Sequence, residues 1–199
     1  IRDILQTENF DHFSFDFYSD DIISSATGLS ARQTARDAVR RARDFIKNFD
    51  TSFENLFLYG DTGVGKTFLS HCIAKELIDT AHCVIYFSAF DLFEMFARNT
   101  FSDSGEADDM NRYIFDCDLL IIDDLGTELT NSFVASQLFL CINERIMHRK
   151  STIISTNLTL ENFKETYSER VFSRISSSYT MIKLIGSDIR IQKKFLGGN

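Results

Sequence analysis

With 199 residues, 44% of them hydrophobic and 25% charged, the chain has the make-up of an ordinary globular protein able to bury a substantial core, and one ordered domain is the default expectation. A net charge of −8 excludes broad electrostatic attraction to nucleic acid but leaves room for a local basic strip. No apolar run approaches a membrane span, and Ile1 to Asp11 has neither the basic start nor the apolar centre of a secretory signal, so a cytosolic protein with no membrane contact is expected.

The chain opens on an aromatic, irregular stretch with Phe10, Phe13, Phe15, Phe17 and Tyr18, expected to be a packed arm within a linker over residues 1–30. Ser30 offers a helix cap, and Ala31 to Asn48 reads as a helix. Its apolar stripe is Ala35, Val39, Ala42, Phe45 and Ile46, and Arg32, Arg36, Arg40, Arg41, Arg43 and Lys47 form a solvated basic face.

Leu56 to Tyr59 is a short apolar run, followed by Gly60-Asp61-Thr62-Gly63-Val64-Gly65-Lys66-Thr67, which matches G-x-x-x-x-G-K-[ST]. Phe68, Leu69, Cys72, Ile73 and Leu77 then recur at helical spacing, which completes the strand, loop, helix context of a phosphate-binding loop. The glycines let successive N–H groups face one anion, and the helix adds its positive dipole end. Lys66 is suited to the outer phosphates and the Thr67 hydroxyl to Mg²⁺, so ATP or ADP with Mg²⁺ is the expected ligand set.

Further on, Val84 to Phe87 reads as a strand and Ala89 to Arg98 as a helix. Thr100 to Asp109 is a polar, acidic loop, Met110 to Phe115 a short helix, and Leu119 to Asp123 a buried strand. Phe133 to His148 is amphipathic, Ser151 to Asn157 is β-branched, two short helices cover 160–167 and 168–176, and Thr180 to Ile185 is a last strand. Continuous apolar strands alternating with helices indicate a parallel sheet covered on both faces. Cys72, Cys83, Cys117 and Cys141 show no C-x-x-C pair and are expected as buried free thiols. His12, His71, His82 and His148 lack ligand spacing.

The strand Leu119 to Ile122 delivers Asp123 and Asp124 to its C-terminal end, the edge where parallel sheets hold ligands. Asp123 is expected to hold Mg²⁺ beside Thr67, and Asp124 to polarise a water for in-line attack on the γ-phosphate, with Glu128 as a possible substitute. Asn157 ends the next strand, where an uncharged amide can orient water or sense the γ-phosphate. Arg170 and Arg174 fall four apart on one helical face, and Arg190 lies beyond the last strand.

In this order, Gly60 to Thr67, the phrase Leu119 to Glu128 (LLIIDDLGTE), Ser155-Thr156-Asn157-Leu158 and Tyr167 to Ile175 (YSERVFSRI) resemble an AAA+ ATPase domain of the DnaC/DnaI type of bacterial replicative helicase loader, over about residues 10 to 194. The resemblance implies an α/β P-loop NTPase, a three-layer sandwich with a five-stranded parallel sheet and little or no helical lid, occupying 31–199. It implies Asn157 as a first sensor, Arg174 as an arginine finger acting on a neighbouring subunit's ATP, and Arg190 as a second-sensor arginine. Catalysis is thus expected from Lys66, Asp124, Asn157 and Arg174. A replicative hexameric helicase, single-stranded DNA and further copies of the chain are the implied partners. The DNA-facing stretch is Phe90 to Phe115, where Asp103, Glu106, Asp108 and Asp109 oppose phosphate and only Arg98 and Arg112 favour it. The chain begins just before the ATPase core, so a helicase-gripping amino-terminal domain is expected to lie outside it. The alternatives are an IstB-like transposition helper, a small-molecule P-loop kinase and a module that holds ATP without hydrolysing it.

Overall fold

The five apolar segments pair side by side in one parallel sheet of order β2-β3-β4-β1-β5, seen in a computed structural model that describes residues 2–101 and 112–196. The strands are β1 (Leu56–Tyr59), β2 (Val84–Ser88), β3 (Leu119–Leu125), β4 (Ser151–Thr156) and β5 (Thr180–Lys183). Eight α-helices can be assigned end to end among the described residues: α1 (Arg2–Thr7), α2 (Ala31–Lys47), α3 (Lys66–Asp79), α4 (Ala89–Phe101), α5 (Ser132–Met147), α6 (Leu160–Tyr167), α7 (Glu169–Ser178) and α8 (Ile189–Leu196).

Because successive strand side chains point to opposite faces, each strand feeds two cores. Leu56, Leu58, Leu119, Ile121 and Ile153 pack with α1, α2 and α3 on one side. Phe57, Leu120, Ile122 and Ile154 pack with α4 to α7 on the other. The result is a three-layer sandwich, and the apolar runs of the central strands are continuous because both faces of the sheet are covered there.

The aromatic arm folds as two 3₁₀ turns, Phe10–His12 and Phe15–Phe17, with Phe10 and Tyr18 buried. It changes the expected basic face of α2. Arg40 and Arg41 do pair with Asp37 on the surface, but the guanidinium of Arg43 sits 4.3 Å from the Phe10 ring centre and that of Arg36 5.8 Å from Phe15. Cation–π contact holds the arm against the helix there. α2 itself starts on a reciprocal cap, Ser30 accepting from the Gln33 N–H while the Gln33 side chain accepts from the Ser30 N–H.

Several expectations shift. Cys72, Cys117 and Cys141 are buried, but Cys83 is exposed, because it precedes β2 where the chain is still entering the sheet. Strand β3 runs two residues further than expected, and β5 ends at Lys183. Helices α1 and α8 were not anticipated. Of the expected acidic loop, Thr100 lies in α4 by its backbone, and residues 102–109 lie outside the described residues, as do the first two residues of the helix expected from Met110. Beyond β5 the described chain adds α8 alone, with no larger helical lid. Among the described residues, no helix is long and apolar enough to cross a membrane.

Candidate nucleotide site

Strand β4 lies between β1 and β3, so the loop after β1, the acids of β3 and the amide after β4 emerge together at one sheet edge. The phosphate loop is built on positive backbone angles, φ 142° at Gly60, 76° at Gly63 and 96° at Gly65. These are conformations that glycine adopts without cost. Gly60 also permits close approach, since a β-carbon there would stand 1.9 Å from the Leu184 carbonyl oxygen. Gly65 begins α3 with no side-chain cap, which leaves the first N–H groups of that helix free for an anion. Tyr18 donates to the Val64 carbonyl at 2.9 Å, so the aromatic arm braces the loop from behind.

Lys66 is almost fully buried and donates to the carbonyls of Gly60 and Asp61, each at 2.7 Å, and to Oδ1 of Asn157 at 2.5 Å. Burial pulls its ammonium below the usual lysine value, against the opposing charges of Asp124, Asp123 and Asp61. The amide of Asn157 faces the other way toward Asp124, 3.4 Å from Oδ1. Thr67 donates to Oδ2 of Asp123 at 2.9 Å, an oxygen that also accepts from Tyr86 at 2.5 Å, while Oδ1 of Asp123 accepts from Ser155.

Asp124 sits at φ 55° where the β3–β4 register breaks between Ile122 and Leu125. A non-glycine residue held there is locally strained. Its N–H is held by Ser155 Oγ at 3.0 Å. Burial, and then the charge of Asp123, lift the Asp124 carboxyl above the usual aspartate value. Glu128, the possible substitute, is buried and committed elsewhere: it accepts from the Gly126 N–H at 3.0 Å and from the Tyr167 hydroxyl.

A cavity of about 510 Å³ opens over these groups, lined by Thr62, Gly63, Lys66, Thr67, Asp124 and Asn157 on one wall and by arm residues including Phe13 and Phe17 on another. Helix α8 closes a third side. Arg190 lines the cavity with its guanidinium 3.4 Å from Asp188, and the Ile189 N–H donates to the Gly63 carbonyl at 2.9 Å. Arg170 and Arg174 stand on α7, exposed and not among the residues that line this cavity; Arg170 lies over the Phe139 ring at 4.6 Å. The structure therefore brings Gly60 to Thr67, Asp123, Asp124, Asn157 and Arg190 together, and leaves Arg174 outside. Tyr18, Tyr86, Ser155 and Asp188 join the site without a signal in the sequence: Tyr86 and Ser155 are isolated hydroxyl residues within strands, and Tyr18 and Asp188 lie in irregular segments outside any motif.

The donor set fits a hard divalent cation: a hydroxyl and a carboxylate, already hydrogen-bonded to each other beside the phosphate loop, are the oxygen ligands Mg²⁺ takes. This loop on this sheet defines an AAA+ P-loop NTPase domain. Comparison with known proteins narrows the class. The model of the family "IstB-like ATP binding protein" matches residues 19–194, and the chain belongs to that family. The replicative helicase loader DnaC of Escherichia coli (strain K12) is 24% identical over 140 residues, covering 70% of this chain and 57% of that protein. The chromosomal replication initiator protein DnaA of Burkholderia cenocepacia (strain HI2424) is 32% identical over 159 residues, 76% of this chain and 28% of that protein. This chain thus spans little more than half the length of the loader. A crystal structure of the DnaC helicase loader superposes with a TM-score of 0.70 at 22% identity, over 92% of this chain and 99% of that one, a likeness of fold.

Proposed function

We propose that this domain binds and hydrolyses ATP as a switch in DNA replication, acting as a loader of a replicative hexameric helicase. The observation that carries the reading is the junction of three strand ends, where Lys66 touches Asn157, Asn157 faces Asp124, and Thr67 touches Asp123. Lys66 and the loop N–H groups neutralise the β- and γ-phosphates. Thr67 and Asp123 hold Mg²⁺, which when bound offsets phosphate charge. Asp124 orients and deprotonates the attacking water, and Asn157 links that carboxylate to Lys66, so it registers whether a γ-phosphate has drawn the lysine away. Arg190 turns from Asp188 to the nucleotide. Arg174, exposed and outside the cavity, is free to serve a neighbour's ATP, so self-association completes the site.

The names of the relatives support the replication reading. Single-stranded DNA is a weaker partner, because Arg98 already pairs with Glu94 at 2.6 Å, leaving Arg112 exposed. The family match favours a second reading, a transposition helper of the IstB-like kind, which a transposase gene beside this one would support. The experiment is ATPase rate against protein concentration, with and without single-stranded DNA and a cognate helicase. A rate per molecule that rises with concentration and with helicase is expected; a flat, unresponsive rate argues for a solitary ATP-binding module.

A further inference from the structure

Asp123 has two partners beyond the phosphate loop, Ser155 and Tyr86, and the second is the less expected. Tyr86 lies on β2, in register with Ile121 of β3, so its ring reaches along the sheet toward the acid two residues on. The ring is fixed from behind: it packs at 5.0 Å on His71 of α3, whose Nδ1 is 2.6 Å from the carboxylate of Glu8 just past α1. The hydroxyl donates to Oδ2 of Asp123 at 2.5 Å.

A carboxylate has about four acceptor positions. Among the described residues, Thr67 and Tyr86 occupy both on Oδ2 and Ser155 occupies one on Oδ1. Phenylalanine would fill the same space against His71, so packing alone gives no reason for the hydroxyl. We infer that Tyr86 is a positioning residue: with Ser155 it locks the rotation of the Asp123 carboxylate, leaving one oxygen position for a divalent cation or its water, and so sets the Mg²⁺ requirement of the site. The inference rests on the nucleotide reading above.

The test is binding of a fluorescent ATP analogue to the whole chain, titrated with Mg²⁺ and repeated in EDTA. Tyr86→Phe is expected to raise the half-saturating Mg²⁺ concentration about tenfold or more, the usual effect of removing a group that orients a metal ligand. Affinity in EDTA should stay within about twofold, a difference too small to reflect a lost contact. Tyr167→Phe, which removes the bond to Glu128 instead, should leave the Mg²⁺ requirement unchanged. Should Tyr86→Phe fail to fold, His71→Gln loosens the seat of the ring while keeping its hydroxyl, and a smaller shift in the same direction is expected. An unchanged Mg²⁺ requirement, an equal loss of affinity in EDTA, or an equal shift in Tyr167→Phe overturns the inference. No binding by the wild-type chain in either medium overturns the nucleotide reading itself, and this inference with it.

Discussion

The ammonium of Lys66 lies 2.5 Å from the amide oxygen of Asn157, a residue 91 positions later in the chain. With the Gly60 and Asp61 carbonyls it completes three hydrogen bonds, the full donor capacity of an ammonium. A nucleotide must therefore compete with these groups for the lysine. Lys66→Ala is expected to weaken binding of a fluorescent ATP analogue about a hundredfold or more, the equivalent of losing a charged hydrogen bond of about 3 kcal/mol. Unchanged affinity would remove the loop from the site.

Asp124→Asn should retain nucleotide and lose turnover by about a hundredfold or more, as when a general base is removed. Because its carboxyl titrates above the usual aspartate range, the acid limb of the rate profile should lie correspondingly high, rising with pH as the group ionises. Glu128→Ala should instead spare turnover and lower stability. It leaves the Tyr167 hydroxyl without its partner and costs about 1–3 kcal/mol of stability with nucleotide affinity intact. Full turnover in the Asp124 variant would transfer the base to another group.

Arg174→Ala is expected to leave nucleotide affinity of the isolated chain unchanged while lowering the assembled rate by about a thousandfold, the scale of a lost arginine finger. Mixing it with Asp124→Asn should recover activity at sites that combine intact halves. Titration of one variant into the other checks this, and a flat mixing curve rules out an arginine supplied by a neighbour.

Gly60→Ala should be the most disruptive single change in the loop. At φ 142° the new β-carbon meets a backbone oxygen, and backbone has nowhere to move. A loss of about 2–4 kcal/mol is expected, read as a drop in thermal midpoint.

His82 supplies a pH test of stability. Its bond to Asp50, 2.8 Å from Nε2, is the main cause of a pKa above the usual 6.5. The folded state binds the proton more tightly, so the contribution is complete below about pH 6.5 and is lost as pH rises through the raised value. With Asp50 exposed, it is worth at most about 1 kcal/mol. The midpoint should fall between pH 6 and 8, and Asp50→Asn should flatten that slope.

The strands, the phosphate loop and the acid pair were legible in the sequence because each is local: apolar runs between polar turns, glycines at fixed offsets, two carboxylates at the end of a buried strand. Helix α8 was not, since Ile189–Leu196 is short and held by contacts with the arm and the loop, as Gln192 donating to the Phe17 carbonyl illustrates. The basic face of α2 likewise gave no hint that Arg36 and Arg43 would lie over phenylalanines more than twenty residues earlier.

By itself the sequence determined that a nucleotide loop precedes an acidic strand on a parallel sheet, because spacing within one segment dictates where its own N–H groups and carboxylates point. Only the tertiary structure decided that β4 runs between them, which joins Lys66 to Asn157 and Asn157 to Asp124. It also decided that Tyr86 and Ser155 grip the acid beside Thr67, and that Glu128 is tied to Tyr167. Those relations are contacts across the sheet, set by strand order and by which face each side chain takes, and no stretch of chain short enough to read as a motif contains both partners.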